Sequence, residues 1–219
     1  MRMAEPLTFI RQTFKTFKTT GAVAPSSAFL ARAVVKGLPS SEKIPGDFSV
    51  LEVGCGTGSI TAAIARRMNG HGRLTVYEIN PSFVTHLKKR LDSEPCFAPM
   101  RGRIALVEGD IRELQAPPRF DAIISGLPFN NFHPEEVQGF LDHFCSLLAP
   151  DGTLSFFEYA AIRKIQIPFV GKEKRHRLRA IARVVEGFAE RHQVAQEIVL
   201  RNLPPARARH FRLCALPPT

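Results

Sequence analysis

The chain has 219 residues, of which 44% are hydrophobic and 23% charged, the composition of a folded globular protein with room for one full core. No apolar run approaches the roughly 18–20 residues of a membrane-spanning helix, and the first residues lack the continuous apolar stretch of a signal peptide. Four scattered cysteines without a CxxC pair argue against a zinc site or disulfide framework and for a reducing compartment.

The net charge of +10 is concentrated at the two ends of the chain. Residues 1–37 hold six basic residues against one acidic residue, and residues 160–219 hold thirteen against four, whereas the middle carries a small acidic excess. This asymmetry predicts a polyanionic partner, either nucleic acid or an anionic membrane surface. Charge alone does not choose between the two.

The first predicted element is an amphipathic helix. Apolar residues spaced three and four apart between Leu7 and Phe17 share one face, and Arg11, Lys15 and Lys18 fall on the others. Such a helix suits the headgroup–acyl boundary of a membrane, where the cations meet lipid phosphates. It equally suits a lid that packs its apolar stripe on the sheet over a ligand pocket.

A second helix is predicted after the GAVAPSS loop at 21–27. Ser26 or Ser27 can cap its start, and the helix runs through about Lys36. The two helices form a predicted N-terminal extension over residues 1–37, ahead of a single domain over residues 38–219.

That domain alternates strands with helices, which predicts an α/β fold with a seven-stranded, mainly parallel sheet. The loop between the last two strands is too short for a crossover helix, so these strands are expected to form an antiparallel hairpin. The predicted strands are 48–53, 74–79, 104–108, 120–125, 153–159, 196–201 and 210–215, and the predicted helices are 58–68, 82–91, 134–148 and 173–192.

The most informative motif follows the first strand. Gly54, Gly56 and Gly58 occupy every second position, with Thr57 between the last two, and a helix follows at once. Glycines let the backbone turn tightly and approach a ligand closely. The spacing differs from that of a dinucleotide site, and the preceding acid, Glu52, would repel a pyrophosphate. The motif therefore favours a cationic ligand, such as the ammonium group of an amino acid.

Two further acids follow the next two strands. Glu78 ends the second strand, where an acid in such folds accepts hydrogen bonds from ribose hydroxyls, and Asp110 follows the third strand, where it can meet an adenine amino group. Ile79, Ile111 and Ser125 lie at the same strand ends. They are predicted to line the same pocket, because the carboxyl ends of parallel strands share one edge.

The stretch Glu52-Val-Gly-Cys-Gly-Thr-Gly58 resembles motif I of S-adenosylmethionine-dependent methyltransferases. With the acids at 78 and 110, the resemblance covers about residues 48–125. It implies a Rossmann-like class I methyltransferase fold, S-adenosylmethionine as the cofactor and S-adenosylhomocysteine as the product. No metal is implied.

The loop after the fourth strand, Ser125-Gly-Leu-Pro-Phe-Asn-Asn131, is where amino methyltransferases border the acceptor nitrogen. It is similar to the N-L-P-Y-N of the rRNA adenine dimethyltransferases but lacks the leading Asn, whose amide would help to recognise a base. An RNA adenine N6-methyltransferase is therefore the alternative function.

Three features together resemble the bacterial phospholipid N-methyltransferases over nearly the whole chain. They are GAVAPSS at 21–27, SGLPFNNF at 125–132, and the basic segment 163–179 with RARHFRL at 207–213. The resemblance implies methylation of phosphatidylethanolamine towards phosphatidylcholine by a cytoplasmic protein, peripheral on the inner face of the cell membrane. Phospholipid and an anionic membrane surface are the implied partners, nucleic acid is disfavoured, and the oligomeric state stays open.

The chemistry of methyl transfer, which needs a free amine held in line with the methyl group, suggests roles for individual residues. The backbone carbonyl of Gly126 or Leu127 is predicted to orient the neutral amine. Tyr159 is predicted to take the proton, ranked ahead of His133 and water because it ends a strand at the ligand-binding edge. Phe129 and Tyr159 hold methylated ammonium products by cation–π attraction, although Phe129 equally suits a core position. The remaining predicted substrate contacts are Asn130, the phosphate-binding cations Arg163 and Lys164, and Ser26 and Ser27.

Overall fold

One sheet of seven strands organises the protein, for which the computed structural model describes residues 27–115, 119–159, 171–202 and 204–213. The strand order is β3-β2-β1-β4-β5-β7-β6. The first five strands are parallel, and β7 runs antiparallel between β5 and β6. The predicted sheet and its closing hairpin are thus confirmed. The strands are β1 (Ser49–Val53), β2 (Arg73–Glu78), β3 (Ile104–Glu108), β4 (Phe120–Ser125), β5 (Leu148–Glu158), β6 (Gln193–Val199) and β7 (Ala206–Arg212).

Helices cover both faces of the sheet, as the alternation of strands and helices predicts. One apolar core lies between the sheet and α1, α2 and α3, and a second core lies under α4 and α5. The helices are α1 (Ala28–Val34), α2 (Ser59–Met68), α3 (Pro81–Ser93), α4 (Pro134–Leu147) and α5 (Lys172–His192).

Helix α1 begins at the predicted cap. The Ser27 hydroxyl accepts a hydrogen bond from the Leu30 amide at 3.2 Å, and the Ser27 amide donates to Asn202 Oδ1 at 3.1 Å. Leu30 and Val34 are fully buried against the sheet, so part of the predicted extension belongs to the main core. The predicted helix near residues 7–17, together with Ser26, lies outside the described residues.

The closing hairpin differs from its predicted bounds, because β7 begins four residues earlier than expected. The cause is Arg209, which is only 1% exposed in the middle of this strand. Its Nε lies 2.5 Å from Glu158 Oε1, and its two terminal nitrogens donate to the carboxylate of Glu186. The cationic run after residue 206 is therefore an inner strand with one inward-facing arginine, where the sequence predicted the end of the loop between the last two strands.

The strand directions bring several chain segments to one edge of the sheet, named here the carboxyl edge. The parallel strands β1, β2, β4 and β5 all end there. In the antiparallel part, Glu158 pairs with Arg207, and Val199 pairs with Ala206. The turn between β6 and β7 therefore lies at the same edge as the end of β5.

Candidate active site

The glycine motif forms a left-handed loop between β1 and α2. Gly54, Gly56 and Gly58 have φ values of 76°, 53° and 81°, a region that residues with a Cβ atom rarely adopt. A Cβ at Gly58 would lie 2.8 Å from Leu87 Cδ1, whereas a Cβ at Gly56 would stand in open space. The loop therefore packs closely on its helix side and leaves its Gly56 side free to approach a ligand.

Glu78 holds this loop in place. Its Oε2 accepts from the Gly56 amide at 3.0 Å and its Oε1 from the Asn80 amide at 2.8 Å. Burial raises the pKa of Glu78, and these two hydrogen bonds oppose that shift. The predicted contact of Glu78 with ribose stays a prediction, and the structure adds a role as the brace between the ends of β1 and β2.

A narrow cleft opens between the glycine loop and the ends of β2 and β4. Its walls are apolar apart from Glu78 and Asp110. The lining residues are Val53, Gly54, Tyr77, Glu78, Ile79, Gly109, Asp110, Ile111, Leu127, Phe132 and Phe140. The structure thus brings Ile79 and Ile111 together with the predicted acids along one cleft.

Three aromatic residues of the cleft wall, Tyr77, Phe132 and Phe140, are absent from the sequence prediction. Tyr77 precedes Glu78 on β2, and Phe132 and Phe140 pack edge to face at a ring distance of 5.2 Å across the start of α4. Tyr77 is next to Glu78 and Phe132 follows the Gly126–Asn130 loop, so each neighbours a residue that the sequence predicted for the site. Phe140 reaches the cleft only through the packing of α4.

Asp110 sits at the mouth of the cleft, paired with Arg112. Burial opposes ionisation of Asp110, but a side-chain bond, a backbone bond and the charge of Arg112 outweigh it and lower the pKa. The Arg112 amide and its Nε both donate to Asp110 Oδ1 at 3.0 Å. The carboxylate is thus kept ionised as an acceptor, which is the state that an adenine amino group requires.

The acceptor loop lies directly on the glycine loop. The Gly126 amide donates to the Val53 carbonyl at 2.8 Å, and a Cβ at Gly126 would come within 2.3 Å of the Gly54 carbonyl oxygen. Ser125, predicted to bind cofactor, is fully buried and accepts from the Leu127 amide at 3.3 Å. A group held by this loop therefore faces a ligand held by the glycine loop.

The two predicted carbonyls differ in availability. The Leu127 carbonyl accepts from the Phe129 amide at 3.0 Å, as part of the short turn that follows. Within the described part of the chain, no donor bonds to the Gly126 carbonyl. Gly126 is therefore the better placed of the two to orient an amine.

The aromatic residues predicted to contact substrate are buried. Phe129 is 4% exposed and packs edge to face on Phe156 at 5.1 Å. Tyr159 is 7% exposed, packs on Phe157, and has its pKa raised by burial to about 12. Such a phenol stays protonated at neutral pH, so its titration disfavours the predicted role as proton acceptor. That role and the cation–π contacts stay predictions.

The other predicted substrate residues are dispersed. Ser27 acts as the cap of α1, and Asn130 lies in the turn after Leu127. His133 precedes α4, and its backbone amide donates to Glu136 Oε2 at 2.8 Å. Arg163 and Lys164 lie outside the described residues.

The sequence itself matches known proteins along this site. The family described as "Methyltransferase domain" matches residues 50–152, which contain the glycine motif and the acceptor loop. An ornithine lipid N-methyltransferase of Singulisphaera acidiphila is 33% identical over 155 residues, covering 67% of this chain and 74% of that protein. This chain belongs to the class I S-adenosylmethionine-dependent methyltransferases.

Two other similarities agree with this assignment. An rRNA methyltransferase of Streptomyces thermotolerans is 33% identical to this methyltransferase over 87 residues, which is 40% of this chain and 25% of that protein. The O-methyltransferase TomG of Streptomyces achromogenes, solved in complex with S-adenosylmethionine, has a TM-score of 0.59 at 14% identity, covering 96% of this chain and 91% of that chain. The latter shows a shared fold.

The residues of the methyltransferase fit its cofactor. The open space beside Gly56, the ionised Asp110 and the apolar cleft between them match a loop-bound methionyl group and an adenosine. When bound, S-adenosylmethionine supplies an electrophilic methyl group on a cationic sulfur. The glycine loop and Ile79, Ile111 and Asp110 would hold it there.

Glu52 acts from beneath the loop. Side chains along β1 alternate between the two cores: Leu51 and Val53 face the core under α4 and α5, and Val50 faces the core under α2. Glu52 is two residues after Val50, so it also lies under α2, next to Thr61. Its side chain is fully buried, and among the described residues no donor meets its carboxylate oxygens in full hydrogen-bond geometry. Burial raises its pKa to about 8; the nearby hydroxyl and backbone of Thr61 oppose that shift, and the charge of Glu78 adds to it. The predicted attraction for a cationic ligand stays a prediction, and it would act from beneath the loop once Glu52 is ionised.

Replacing Glu52 by glutamine should have opposite effects on the cofactor-free protein and on cofactor binding. An acid whose pKa is higher in the folded than in the unfolded protein contributes most to stability below its unfolded pKa, where both states are protonated. As the pH rises towards about 8, the unfolded state ionises first, and that contribution is lost. Because glutamine does not ionise, the variant should gain on the order of 2 kcal/mol of unfolding free energy at neutral pH. Urea denaturation measures this gain.

The same variant should bind S-adenosylmethionine about tenfold more weakly at about pH 8, because the cationic ligand favours ionised Glu52. Native binding should release a proton and tighten between about pH 6 and pH 8, which calorimetry in two buffers of different ionisation enthalpy detects. Glu108→Gln, at an exposed end of β3, is the control and should change neither property. Equal native affinity at both pH values would contradict this role for Glu52.

Proposed function

We propose that this methyltransferase methylates the amine of a membrane-lipid headgroup. The expected substrate is phosphatidylethanolamine, with its mono- and dimethyl forms, on the way to phosphatidylcholine. The protein would act from the cytoplasm, peripherally on the inner face of the cell membrane. The observation that carries the proposal is the 33% identity to a lipid N-methyltransferase across two thirds of the chain.

The site offers what a primary amine requires. A nitrogen can accept a methyl group only as the free amine, whose lone pair is available, and burial in an apolar site lowers the pKa of an ammonium group. The Gly126 carbonyl, to which no donor among the described residues bonds, accepts a hydrogen bond from the remaining N–H and aims the lone pair at the glycine loop. Holding the two reactants about 3–3.5 Å apart in line supplies much of the rate enhancement.

The charge of the site also suits a phosphodiester beside the amine. Helix α5 begins with Lys172, Lys174 and Arg175 and packs on the turn at Phe129–Asn131, so its cationic start lies towards the carboxyl edge. Arg207, which pairs with Glu158 across β5 and β7, lies at the same edge. These cations can attract the headgroup phosphate, which lies a two-carbon linker from the amine in phosphatidylethanolamine.

Two other acceptors have specific support. The amine of an ornithine lipid is favoured by the name of the 33% identical relative, and it shares a primary amine on a membrane lipid. An adenine amino group of RNA is favoured by the similarity to an rRNA methyltransferase and by the Gly126–Asn130 loop. No described helix is both long enough and apolar enough to pass through a bilayer.

The deciding experiment presents all three acceptors with a methyl-labelled cofactor. We expect label in the organic extract from phosphatidylethanolamine vesicles, with mono-, di- and trimethyl products separated by thin-layer chromatography. Label from ornithine-lipid vesicles alone would keep the lipid class and replace the headgroup. Label in ribosomal RNA, with none in lipid, would overturn the proposal. Gly56→Val, which places a side chain in the open space of the loop, is the inactive control.

A further inference from the structure

A second surface of the protein combines exposed apolar and cationic side chains. It consists of Phe29 and Arg32 on α1 and Leu200 and Arg201 at the β6–β7 turn, and is named here the tip surface. Leu200 is 75% exposed and Phe29 is 42% exposed, both unusual for large apolar residues. The Ser27–Asn202 hydrogen bond joins the two segments.

The two arginines hold the aromatic ring in its exposed position. The guanidinium carbon of Arg32 lies 5.4 Å from the centre of the Phe29 ring, and that of Arg201 lies 5.3 Å from it. Both distances are within cation–π range. The ring and the charges are thus presented together, which is the side-chain pairing that suits a boundary between lipid headgroups and acyl chains.

The tip surface lies at the edge of the sheet where the reaction takes place. The β6–β7 turn lies at the carboxyl edge, beyond the end of β5, as the pairing of Val199 with Ala206 and of Glu158 with Arg207 requires. The glycine loop and the Gly126 loop leave β1 and β4 at that edge. Any extended surface docked on the tip would therefore face the opening of the active site.

The charge of this region disfavours a second copy of the chain as the occupant and favours an anionic surface. No aspartate or glutamate occurs in residues 26–37 or 198–213, which contain the tip surface and its flanks. Two copies of the chain docked tip to tip would bring four arginines together with no acid between them. An anionic bilayer offers both a negative surface and an apolar layer beneath it.

We propose that the tip surface docks this methyltransferase on an anionic lipid bilayer, with Leu200 and Phe29 entering the interface and Arg32 and Arg201 contacting lipid phosphates. In this orientation the opening of the active site faces the bilayer, so a headgroup amine can reach the acceptor loop without leaving the membrane. The orientation towards a lipid substrate rests on the proposed function, whereas the docking itself does not.

The test compares two charge-matched variants of the full chain. The tip variant is Leu200→Glu with Arg201→Glu, both at exposed positions of the turn. The control is Val194→Glu with Arg73→Glu, also exposed and at the opposite edge of the sheet. Val194 lies six residues before Leu200, about 20 Å along the strand. Both variants change the net charge by the same amount, so a difference between them reports position.

Flotation with vesicles of equimolar phosphatidylglycerol and phosphatidylcholine measures the docking. Each cation at an anionic surface contributes about a fivefold gain in binding, so the tip variant should bind at least about tenfold more weakly and the control by much less. Equal binding of the tip variant and the control would overturn the proposal. The proposal would also be overturned if the native protein is a dimer and the tip variant, but not the control, is a monomer. That result would assign the surface to a second copy of the chain.

A second readout separates the docking from the proposed function. On a short-chain phosphatidylethanolamine dissolved as monomers, the tip variant should methylate at the native rate, and its activity should fall only on vesicles. Loss of activity on both forms would show a general defect and contradict a docking role. If no lipid is methylated by any variant, the proposed function fails while the flotation result still decides the docking.

Discussion

Replacing Gly126 by alanine should reduce the methyl-transfer rate at saturating cofactor by about 100-fold, with the protein still folded. The added Cβ would stand 2.3 Å from the Gly54 carbonyl oxygen, so the acceptor loop and the glycine loop must separate. The Gly126 amide is tied to the Val53 carbonyl, which limits how the strain can be relieved. A misplacement of about 1 Å between reacting groups costs rate on this scale.

The measurement is the turnover number with labelled cofactor, beside the thermal unfolding midpoint. Gly139→Ala on α4 is the matched control, because a Cβ there meets nothing within 4 Å. It should leave turnover unchanged and raise the unfolding free energy by about 0.5–1 kcal/mol, since alanine loses less backbone entropy in a helix. Native turnover in Gly126→Ala would mean that the contact between the two loops does not position the reactants.

Replacing Arg209 by methionine should lower the unfolding free energy by about 3–5 kcal/mol. Arg209 is 1% exposed and compensates Glu158, itself 8% exposed, and Glu186. Removing the cation leaves a carboxylate in the interior without this partner, which costs more than the ion pair contributes to stability. Urea denaturation gives the change, and the loss should be accompanied by weaker pairing of β5 with β7.

A second substitution separates charge from packing in this network. If the uncompensated charge is the cause, adding Glu158→Gln to Arg209→Met should recover part of the lost free energy. Arg212→Met, on the exposed end of the same strand, should change stability by no more than about 0.5 kcal/mol. A double variant as unstable as the single one would assign the loss to packing of the arginine side chain.

The local patterns in the sequence were sufficient for the sheet, its helices and the cofactor motif. The strand before Gly54, the alternate glycines and the acids at 78 and 110 are read within short windows, and backbone sterics permit few structures for them. The similarity to a lipid N-methyltransferase agrees with the acceptor class that the GAVAPSS and SGLP elements indicated. The two loop serines, Ser26 and Ser27, also offered a cap for the second helix, and the structure shows Ser27 in that role.

Tertiary structure alone decided which partner each polar group would have. Glu78 reads in the sequence as a ribose acceptor, but pairing of β1 with β2 brings the Gly56 amide to its carboxylate. Arg209 reads in the sequence as part of the loop before the last strand, but three separate elements deliver Glu158, Glu186 and Gln193 around it. Spacing along the chain fixes the local conformation and the face of the helix or strand on which a side chain lies. Burial and charge compensation depend on residues far apart in sequence, which only the folded sheet brings into contact.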